Sequence, residues 1–239
     1  MKLEDLVREL RRTLNDFGPY IATDEEWVDD DADMLWKNAE LTTYIQRAEE
    51  EYTRRYPIPD DTTAAVCTVT VTATQPYVTL DPRVLQVDRI KLSTGTKAIK
   101  RITVDELDET LAESWEAEAG EPTHYIFEHH ELRLRLYPIP TTTGTAALRV
   151  GRKALRPLRW DYNHRHPEIP ENHHLLLLDW AAHLAYLKDD TEDTYDVKRA
   201  GTFRDIFNAN VGGDISVKAQ EARRQLAGTR VPRTRAYDR

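Results

Sequence analysis

The sequence predicts an α+β fold, in which a bundle of about four long helices, two N-terminal and two C-terminal, carries an inserted antiparallel β-rich module and a basic C-terminal arm. The module is predicted from a hairpin within residues 120–140, where leucine and arginine alternate over 132–136, the period of a strand with one buried face. Pro138 and Pro140 cannot donate to a sheet ladder, so they end that strand or place it at an edge. Because long helical patterns lie on both sides of the hairpin, alternating βαβ units are disfavoured.

Two helices are predicted in the N-terminal part, residues 1–60. The first runs from about Lys2 to Asp16 and repeats apolar residues at spacings of three and four, namely Leu3, Leu6, Val7, Leu10 and Leu14. The second runs from Met34 to about Tyr56, with a stripe formed by Leu41, Ile45, Ala48 and Tyr52. Gly18-Pro19 follows the first pattern, and Pro57 and Pro59 follow the second, as is typical of helix ends.

Residues 61–160 are predicted to form the β-rich module, as a sheet or small barrel. The stretch Ala65–Ala73 alternates small apolar residues with threonines, which indicates a strand with a hydroxyl-bearing outer face. Further strands are predicted at Tyr77–Leu80, Val87–Leu92, Ala98–Thr103, His124–Phe127, Leu132–Tyr137 and Ala146–Arg152. A short helix, about Val104–Ser114, interrupts them, and Thr103 with Glu106 forms a capping-box pattern at its start.

The C-terminal helices are predicted within residues 161–213, at about Glu171–Lys188 and Thr194–Asn210. The first of them is apolar on nearly all sides, so we expect it to be deeply buried or to lie between subunits. Leu176, Trp180 and Leu184 share one side of this helix at a spacing of four. They are either ordinary core residues or an oligomer seam.

Charge is distributed very unevenly along the chain. The whole chain has a net charge of −9, but Ser216–Arg239 carries +5, which leaves −14 for residues 1–215. Residues 214–239 are therefore predicted to be a basic helix and arm, either a solubilising tail or a segment that folds onto a partner, with these candidate contact residues: Lys218, Arg223, Arg224, Arg230, Arg233, Arg235, Tyr237 and Arg239.

An acidic cluster in Thr23–Asp33 has seven carboxylates and no base: Asp24, Glu25, Glu26, Asp29, Asp30, Asp31 and Asp33. Mutual repulsion predicts an exposed loop. The loop is either simply solvated, or it binds a cation or faces a DNA channel that must repel phosphate.

Signatures of catalysis are missing from the sequence, which contains no GxxxxGK[ST], GxGxxG, GxSxG, HExxH or CxxC motif. Paired histidines at 129–130, 164/166 and 173–174 lack a carboxylate at ligand spacing, so no metal site, cofactor or catalytic residue is predicted. A carboxylate-dependent hydrolase would need a concave site with perturbed acids.

The single cysteine, Cys67, excludes an intramolecular disulfide. Neither a secretory signal nor a membrane-spanning stretch is expected, so the chain is predicted to be soluble.

Four phrases, taken in order, resemble the head-to-tail adaptor, or connector, family of tailed bacteriophages, including the tail tubular protein A of podoviruses. They are VTLDPRVLQVDRI at Val78–Ile90, Trp115 followed by GEPTHYIF, the strand ending LYPIP, and IPENHHLLLLDWAAHLAYLKDD. The similarity extends over roughly Leu3–Val211. Where the family usually has leucine-proline before the acid, this chain has Leu80-Asp81-Pro82.

The resemblance implies a non-enzymatic virion protein at the head–tail junction, made in the cytoplasm of the bacterial host. It implies a twelvefold ring of identical subunits that binds the portal protein through C-terminal segments and presents its other face to the next tail component, a nozzle, stopper or tail tube protein. Genomic DNA would pass through the lumen without sequence-specific binding. The alternative from a different class is a free-standing nucleic-acid-binding protein that uses the basic tail, whose DNA affinity would fall steeply with added salt.

Overall fold

The computed structural model describes residues 1–16, 34–110, 115–128, 131–189 and 194–212, and these residues form an α+β structure. Within them lie six α-helices of 4 to 18 residues: α1 (Leu3–Leu14), α2 (Asn38–Arg55), α3 (Ala64–Cys67), α4 (Val104–Thr110), α5 (Leu176–Ala185) and α6 (Val197–Val211). Short 3-10 turns lie at Trp115–Ala117, Trp160–Tyr162 and Glu171–His173.

Ten strands are formed by the described residues: β1 (Ile58–Asp60), β2 (Thr68–Val71), β3 (Tyr77–Thr79), β4 (Val84–Leu92), β5 (Ala98–Arg101), β6 (Ala119–Gly120), β7 (His124–Glu128), β8 (Arg133–Tyr137), β9 (Ile139–Pro140) and β10 (Gly144–Arg152). Eight of them make one sheet in the order β1-β10-β4-β5-β7-β8-β3, with β2 also paired to β10. This sheet is strongly curled, and β2 contacts β3, the strand at the far end of that order. Strands β6 and β9 form a separate small pair.

The expected bundle of four long helices is wrong, because a strongly curled mixed sheet dominates the architecture and the helices are short. The expectation of a purely antiparallel module is also wrong: β5 pairs with β7 in parallel, Lys100 opposite His124 and Arg101 opposite Tyr125. Helix α4 connects β5 to the next part of the sheet, which allows a crossover between parallel neighbours. Apolar spacing indicates which face of a helix is buried, but it does not fix how much of the fold the helices make up.

Several local predictions are confirmed. Strands β7 and β8 form the expected antiparallel hairpin, with Ile126 opposite Arg135 and Leu134 and Leu136 buried. The capping box is present as well: the Thr103 hydroxyl accepts from the Glu106 amide at 3.2 Å, and the Glu106 carboxylate accepts from the Thr103 amide at 2.9 Å. One strand prediction is half wrong, because residues 64–67 form a helical turn before β2 begins at Thr68.

The interior of the described residues is divided among three apolar clusters. The largest is helical and includes Leu3, Leu10, Trp36, Leu41, Ile45, Leu177, Ala181 and Phe207, each almost fully buried, from α1, α2, α5 and α6 and the turn before α2. The second lies inside the curled sheet and includes Val84, Ile90, Leu134, Leu148 and Val150. The third, formed by Leu107, Trp115, Ile126 and Tyr137, joins α4 and the first 3-10 turn to the outer face of β7 and β8.

Candidate interaction surfaces

The end of α6 is held firmly against α2 by one arginine. The Arg55 guanidinium donates to the Asn208 side chain at 2.9 Å and to the Gly212 carbonyl, and it pairs with Glu51 at 2.6 Å. It also lies 4.9 Å from the centroid of the Phe207 ring. Gly212 has φ of 89°, the left-handed region that glycine adopts without cost. The point at which the chain leaves α6 is therefore fixed, whereas all eight predicted arm residues lie outside the described ranges.

A second buried arginine joins the end of α1 to the start of α2. Arg11 is 1% exposed, forms an ion pair with Asp16, and donates to the Trp36 carbonyl and the Asn38 side chain, each at 2.8 Å. Asp16 in turn accepts from the Leu35 amide at 3.0 Å. Residues 16 and 35, which flank the predicted acidic cluster in sequence, are thus hydrogen-bonded to each other. The seven acidic residues themselves lie outside the described ranges.

The predicted oligomer seam lies on α5. Leu176, Trp180 and Leu184 are all partly buried, and the Trp180 ring lies 5.1 Å from the ring of Phe207 on α6. Arg55 also covers the Trp180 ring, at 5.6 Å from its centroid. Part of the predicted seam therefore packs against other residues of the same subunit. Larger apolar exposure occurs at the two ends of α5, where Leu175 is 56% exposed and Leu187 is 41% exposed.

A buried ionic network connects the helical core to the sheet. Arg152 on β10 pairs with Asp60 on β1 at 2.6 Å and with Glu168 at 2.7 Å. The Glu168 amide donates to the carboxylate of Glu49 on α2 at 2.7 Å. Because Glu168 also accepts from the Leu155 amide at 2.9 Å, this network fixes the segment that leads from the sheet back to the helices.

Burial and hydrogen bonding shift the pKa values of two carboxyl groups in this network in opposite directions. Burial raises the pKa of Glu49 to about 7, and the neighbouring Glu168 and Glu50 carboxylates raise it further, against the lowering effect of the Glu168 amide and Arg152. Burial alone would raise the pKa of Asp60, but hydrogen bonds from Thr62, Arg152 and Thr63 outweigh it and hold that pKa well below its usual range. Glu49 is only 2% exposed, so its raised pKa belongs to a structural group that a substrate could not reach.

The histidines that had been considered as metal ligands make structural contacts where they are described. His173 bonds the Tyr52 hydroxyl at 2.5 Å, and His174 contacts the Ile169 carbonyl at 3.0 Å. His166 contacts the Met1 carbonyl at 2.9 Å. In the described part of the chain, no group of three or more His, Cys, Asp or Glu side chains could hold a metal ion. None of the helices formed by the same residues is long and apolar enough to cross a membrane.

The outer face of the sheet carries a group of cations that the sequence alone did not single out. Arg89 and Lys91 on β4, Lys100 on β5 and Arg149 on β10 are all exposed, and the strand register places Arg149 directly opposite Arg89. We call these four residues the basic face. Lys91 lies opposite Ala147 on one side and Ala98 on the other, so small side chains flank this lysine. The alternation of charged and apolar residues is visible within each strand, but the charged residues become neighbours only through the register of the strands.

An acidic surface lies further along the same side of the sheet. Helix α4 exposes Asp105, Glu106, Asp108 and Glu109, and Glu116 is exposed in the 3-10 turn that follows. Buried Leu107 anchors this helix in the third apolar cluster. Two of the acids have local roles, since Glu106 caps the helix and Asp108 accepts from the Trp115 indole at 2.7 Å. We call the exposed acids of α4 the acidic face.

The described residues thus form three apolar clusters, and the outer surface of the sheet carries a basic face and an acidic face. The sequence matches the SU10 adaptor protein family over residues 1–233, and the chain belongs to that family. It is therefore a bacteriophage head–tail adaptor, a structural component of the virion that associates with other virion components such as the portal and the tail. No curated protein matches the sequence.

Proposed function

We propose that this adaptor forms a ring beneath the portal, joins the DNA-filled head to the tail, and continues the DNA channel. The observation that carries the proposal is the family match over residues 1–233 of 239, which includes most of the basic segment as well as the three apolar clusters. A twelvefold ring would match the symmetry expected from the resemblance to connectors. In this arrangement residues 1–60 and 161–213 supply the helical part of each subunit, residues 61–160 the β-rich module, and residues 214–239 the arm.

The basic arm is the part that we assign to the portal. Its arginines and Lys218 would meet an acidic portal surface, and Tyr237 would supply an aromatic anchor. The Arg55 contacts support this role, because they hold the base of the arm at one place on the subunit. From Gly212 onward, the remaining residues could reach at most about 90 Å when fully extended. Such a reach allows a subunit to contact a portal subunit that does not lie directly against its core.

The acidic cluster at residues 24–33 is assigned to the lumen or to the tail-facing surface. Carboxylates around a DNA channel repel phosphates and so prevent the DNA from adhering during passage. The bond between Asp16 and Leu35 supports this assignment, since it holds the two flanks of the cluster at one place on the helical core. Opposite the portal, the ring would present its other face to the next tail component, a nozzle, stopper or tail tube protein.

The α5 surface around Leu176, Trp180 and Leu184 is proposed to contribute to the ring contact. A ring requires a heterologous interface, in which two different surfaces of one subunit meet the complementary surfaces of its neighbours. The exposed leucines at the ends of α5, Leu175 and Leu187, extend the partly buried stripe and favour this location.

The portal role of the arm can be tested by deleting Gly228–Arg239 and measuring binding to purified portal of the same virus. We expect rings to form and portal binding to fall by at least about tenfold, because four arginines and the tyrosine anchor are removed. A full-length variant with Arg230, Arg233, Arg235 and Arg239 changed to glutamine should show most of this loss. The matched control changes the same four arginines to lysine, which keeps the charge.

Undiminished portal binding by the chain that lacks Gly228–Arg239 would remove the arm from the mechanism.

The nucleic-acid alternative is tested by measuring the binding of the same proteins to duplex DNA. Tight binding of the full chain to free DNA, which decreases steeply with salt and disappears with the arm, would favour that alternative over the adaptor ring. Electron micrographs of the adaptor with and without portal would give the symmetry and stoichiometry of the complex.

A further inference from the structure

The basic face has no paired counter-charge among the residues that the structure describes. No hydrogen bond or ion pair involves the side chains of Arg89, Lys91, Lys100 or Arg149 among the described residues. In contrast, the two arginines on the exposed side of β8 are both paired, Arg133 with Glu128 at 2.5 Å and Arg135 with Glu116 at 3.4 Å. The difference is notable because acidic residues outnumber basic ones in this chain, 42 to 33.

The register makes this arrangement unfavourable for an isolated subunit. Like charges directly opposite each other in an antiparallel pair destabilise the sheet, and Arg149 lies opposite Arg89. A β-bulge follows at once, since Val150 lies opposite Val87 and leaves Asp88 as the extra residue. Asp88 is exposed and accepts from the Gln86 side chain at 3.1 Å, so it is bonded within its own strand. Within the described part of the chain, nothing therefore prevents the four cations from contacting an outside partner.

The surface beside the cations is built from small side chains. Thr68 and Thr70 of β2 pair with Ala147 and Thr145 of β10, and all four are exposed. A pleated surface of threonine and alanine leaves room for a helix to lie close to the backbone, with the longer Arg and Lys side chains around it. The positive charge of the basic face favours a helix whose exposed side is acidic.

The acidic face has these properties and is present on every copy of the chain. Asp105 and Glu109 lie four residues apart on the exposed side of α4 and have no partner among the described residues. Helix α4 covers β7 and β8, whereas the basic face lies on β10, β4 and β5 of the same curled sheet. The two faces do not pair within one subunit.

We propose that the basic face of one subunit binds the acidic face of a neighbouring copy. This inference rests on the proposed ring and names a part of its subunit contact. The pairing is heterologous, because the two faces differ, and each subunit has one of each, so the contact repeats from copy to copy. Association through it weakens as salt is added.

The test uses two charge-reversed chains. One is Arg89→Glu/Arg149→Glu, which keeps two like charges opposite each other and so matches the cost of the original pair within the sheet. The other is Asp105→Lys/Glu109→Lys. In each variant alone, the two reversed charges cancel the two that remain on the altered face, so that face no longer complements its partner face. An equal mixture pairs the two altered faces with each other and the two original faces with each other, which restores both complementary contacts. The control is Arg156→Glu, a single charge reversal at an exposed residue outside both faces.

We expect each variant alone to associate at least about tenfold more weakly than the original chain in sedimentation velocity at low salt, and the equal mixture to recover association. A mixture that associates no better than its components would overturn the proposal. So would a loss of duplex DNA binding in Arg89→Glu/Arg149→Glu with self-association unchanged, which would make the basic face a nucleic-acid surface. Circular dichroism confirms that both variants are folded.

The same samples distinguish this inference from the proposed function. If the original chain and Arg89→Glu/Arg149→Glu both form rings on the portal to the same extent, the pairing of the two faces is wrong and the portal-bound ring stands. If the original chain forms no ring on the portal, the proposed function is wrong, whereas recovery of association in the portal-free mixture still decides the pairing.

Discussion

Replacing Glu49 with glutamine should make the protein more stable at neutral and alkaline pH. The network around Glu49 contains three carboxylates, those of Glu49, Asp60 and Glu168, but one guanidinium, that of Arg152. Arg152 already bonds Asp60 and Glu168. Glu49 therefore keeps its proton most easily, in agreement with its raised pKa of about 7. Glutamine preserves the shape and the oxygen that accepts from the Glu168 amide, but carries no charge.

The magnitude follows from the two pKa values. The pKa of Glu49 rises from 4.5 to about 7 on folding, so the folded protein holds the proton more tightly than the unfolded chain. The stabilisation from this group is complete below about pH 4.5 and is lost as the pH rises to about 7. At about 1.4 kcal/mol per unit, the loss amounts to roughly 3 kcal/mol above pH 7. Glu49→Gln removes this loss, since it has no proton to release.

Urea unfolding, followed by tryptophan fluorescence between about pH 4.5 and 8, measures this difference. The free energy of unfolding of Glu49→Gln minus that of the original chain should be near zero at the acid end and should approach about 3 kcal/mol at pH 8. Glu50→Gln is the matched control, because Glu50 is the exposed neighbour on α2 and raises the pKa of Glu49 less than burial does, so its change should leave most of the pH dependence of the original chain in place. A difference for Glu49→Gln that does not grow with pH would refute the assignment of the raised pKa to this buried carboxyl.

Two further changes test the packing of the described residues. Arg11→Met leaves Asp16 as an unpaired buried carboxylate and should lower the free energy of unfolding by about 3–5 kcal/mol in the same urea assay; a loss below about 1 kcal/mol would contradict the buried ion pair. Gly151→Ala places a Cβ 2.7 Å from Cβ of Pro57, whose ring cannot yield, and should cost about 1–3 kcal/mol. Its control is Gly201→Ala in α6, where no atom lies within 4 Å, which should stabilise by about 0.5–1 kcal/mol.

Local sequence patterns predicted the secondary structure well wherever neighbouring residues determine it. The alternation of Leu134 and Leu136 with arginines gave the hairpin, and Thr103 with Glu106 gave the start of α4. The pattern was less reliable at element ends. The apolar run predicted as one helix from Glu171 has a 3-10 turn at Glu171–His173 before α5 begins at Leu176, and β8 begins one residue late because Leu132 has φ of 47°.

Long-range relations could not be predicted in the same way. The parallel pairing of β5 with β7 depends on where α4 packs, and hydrophobic alternation is the same in parallel and antiparallel strands. The ionic network likewise joins Glu49 and Asp60 to Arg152 and Glu168, and Arg152 lies 92 residues after Asp60 in the sequence. The basic face was missed for the same reason, since Arg89 and Arg149 meet only through the register of β4 with β10.

Strand β10 links the interior of the subunit to the surface that we assign to the ring contact. Arg149 belongs to the basic face, and Arg152, three residues further along the same strand, belongs to the network that holds the sheet against α2. A ring closes only if every subunit presents its two complementary surfaces at the same fixed angle. The network supplies this rigidity at the strand where the basic face lies, because Arg152 is buried and is bonded to both β1 and the segment that returns to the helices. An internal ion network is thus compatible with an assembly protein, in which the fixed geometry of each subunit determines the geometry of the whole.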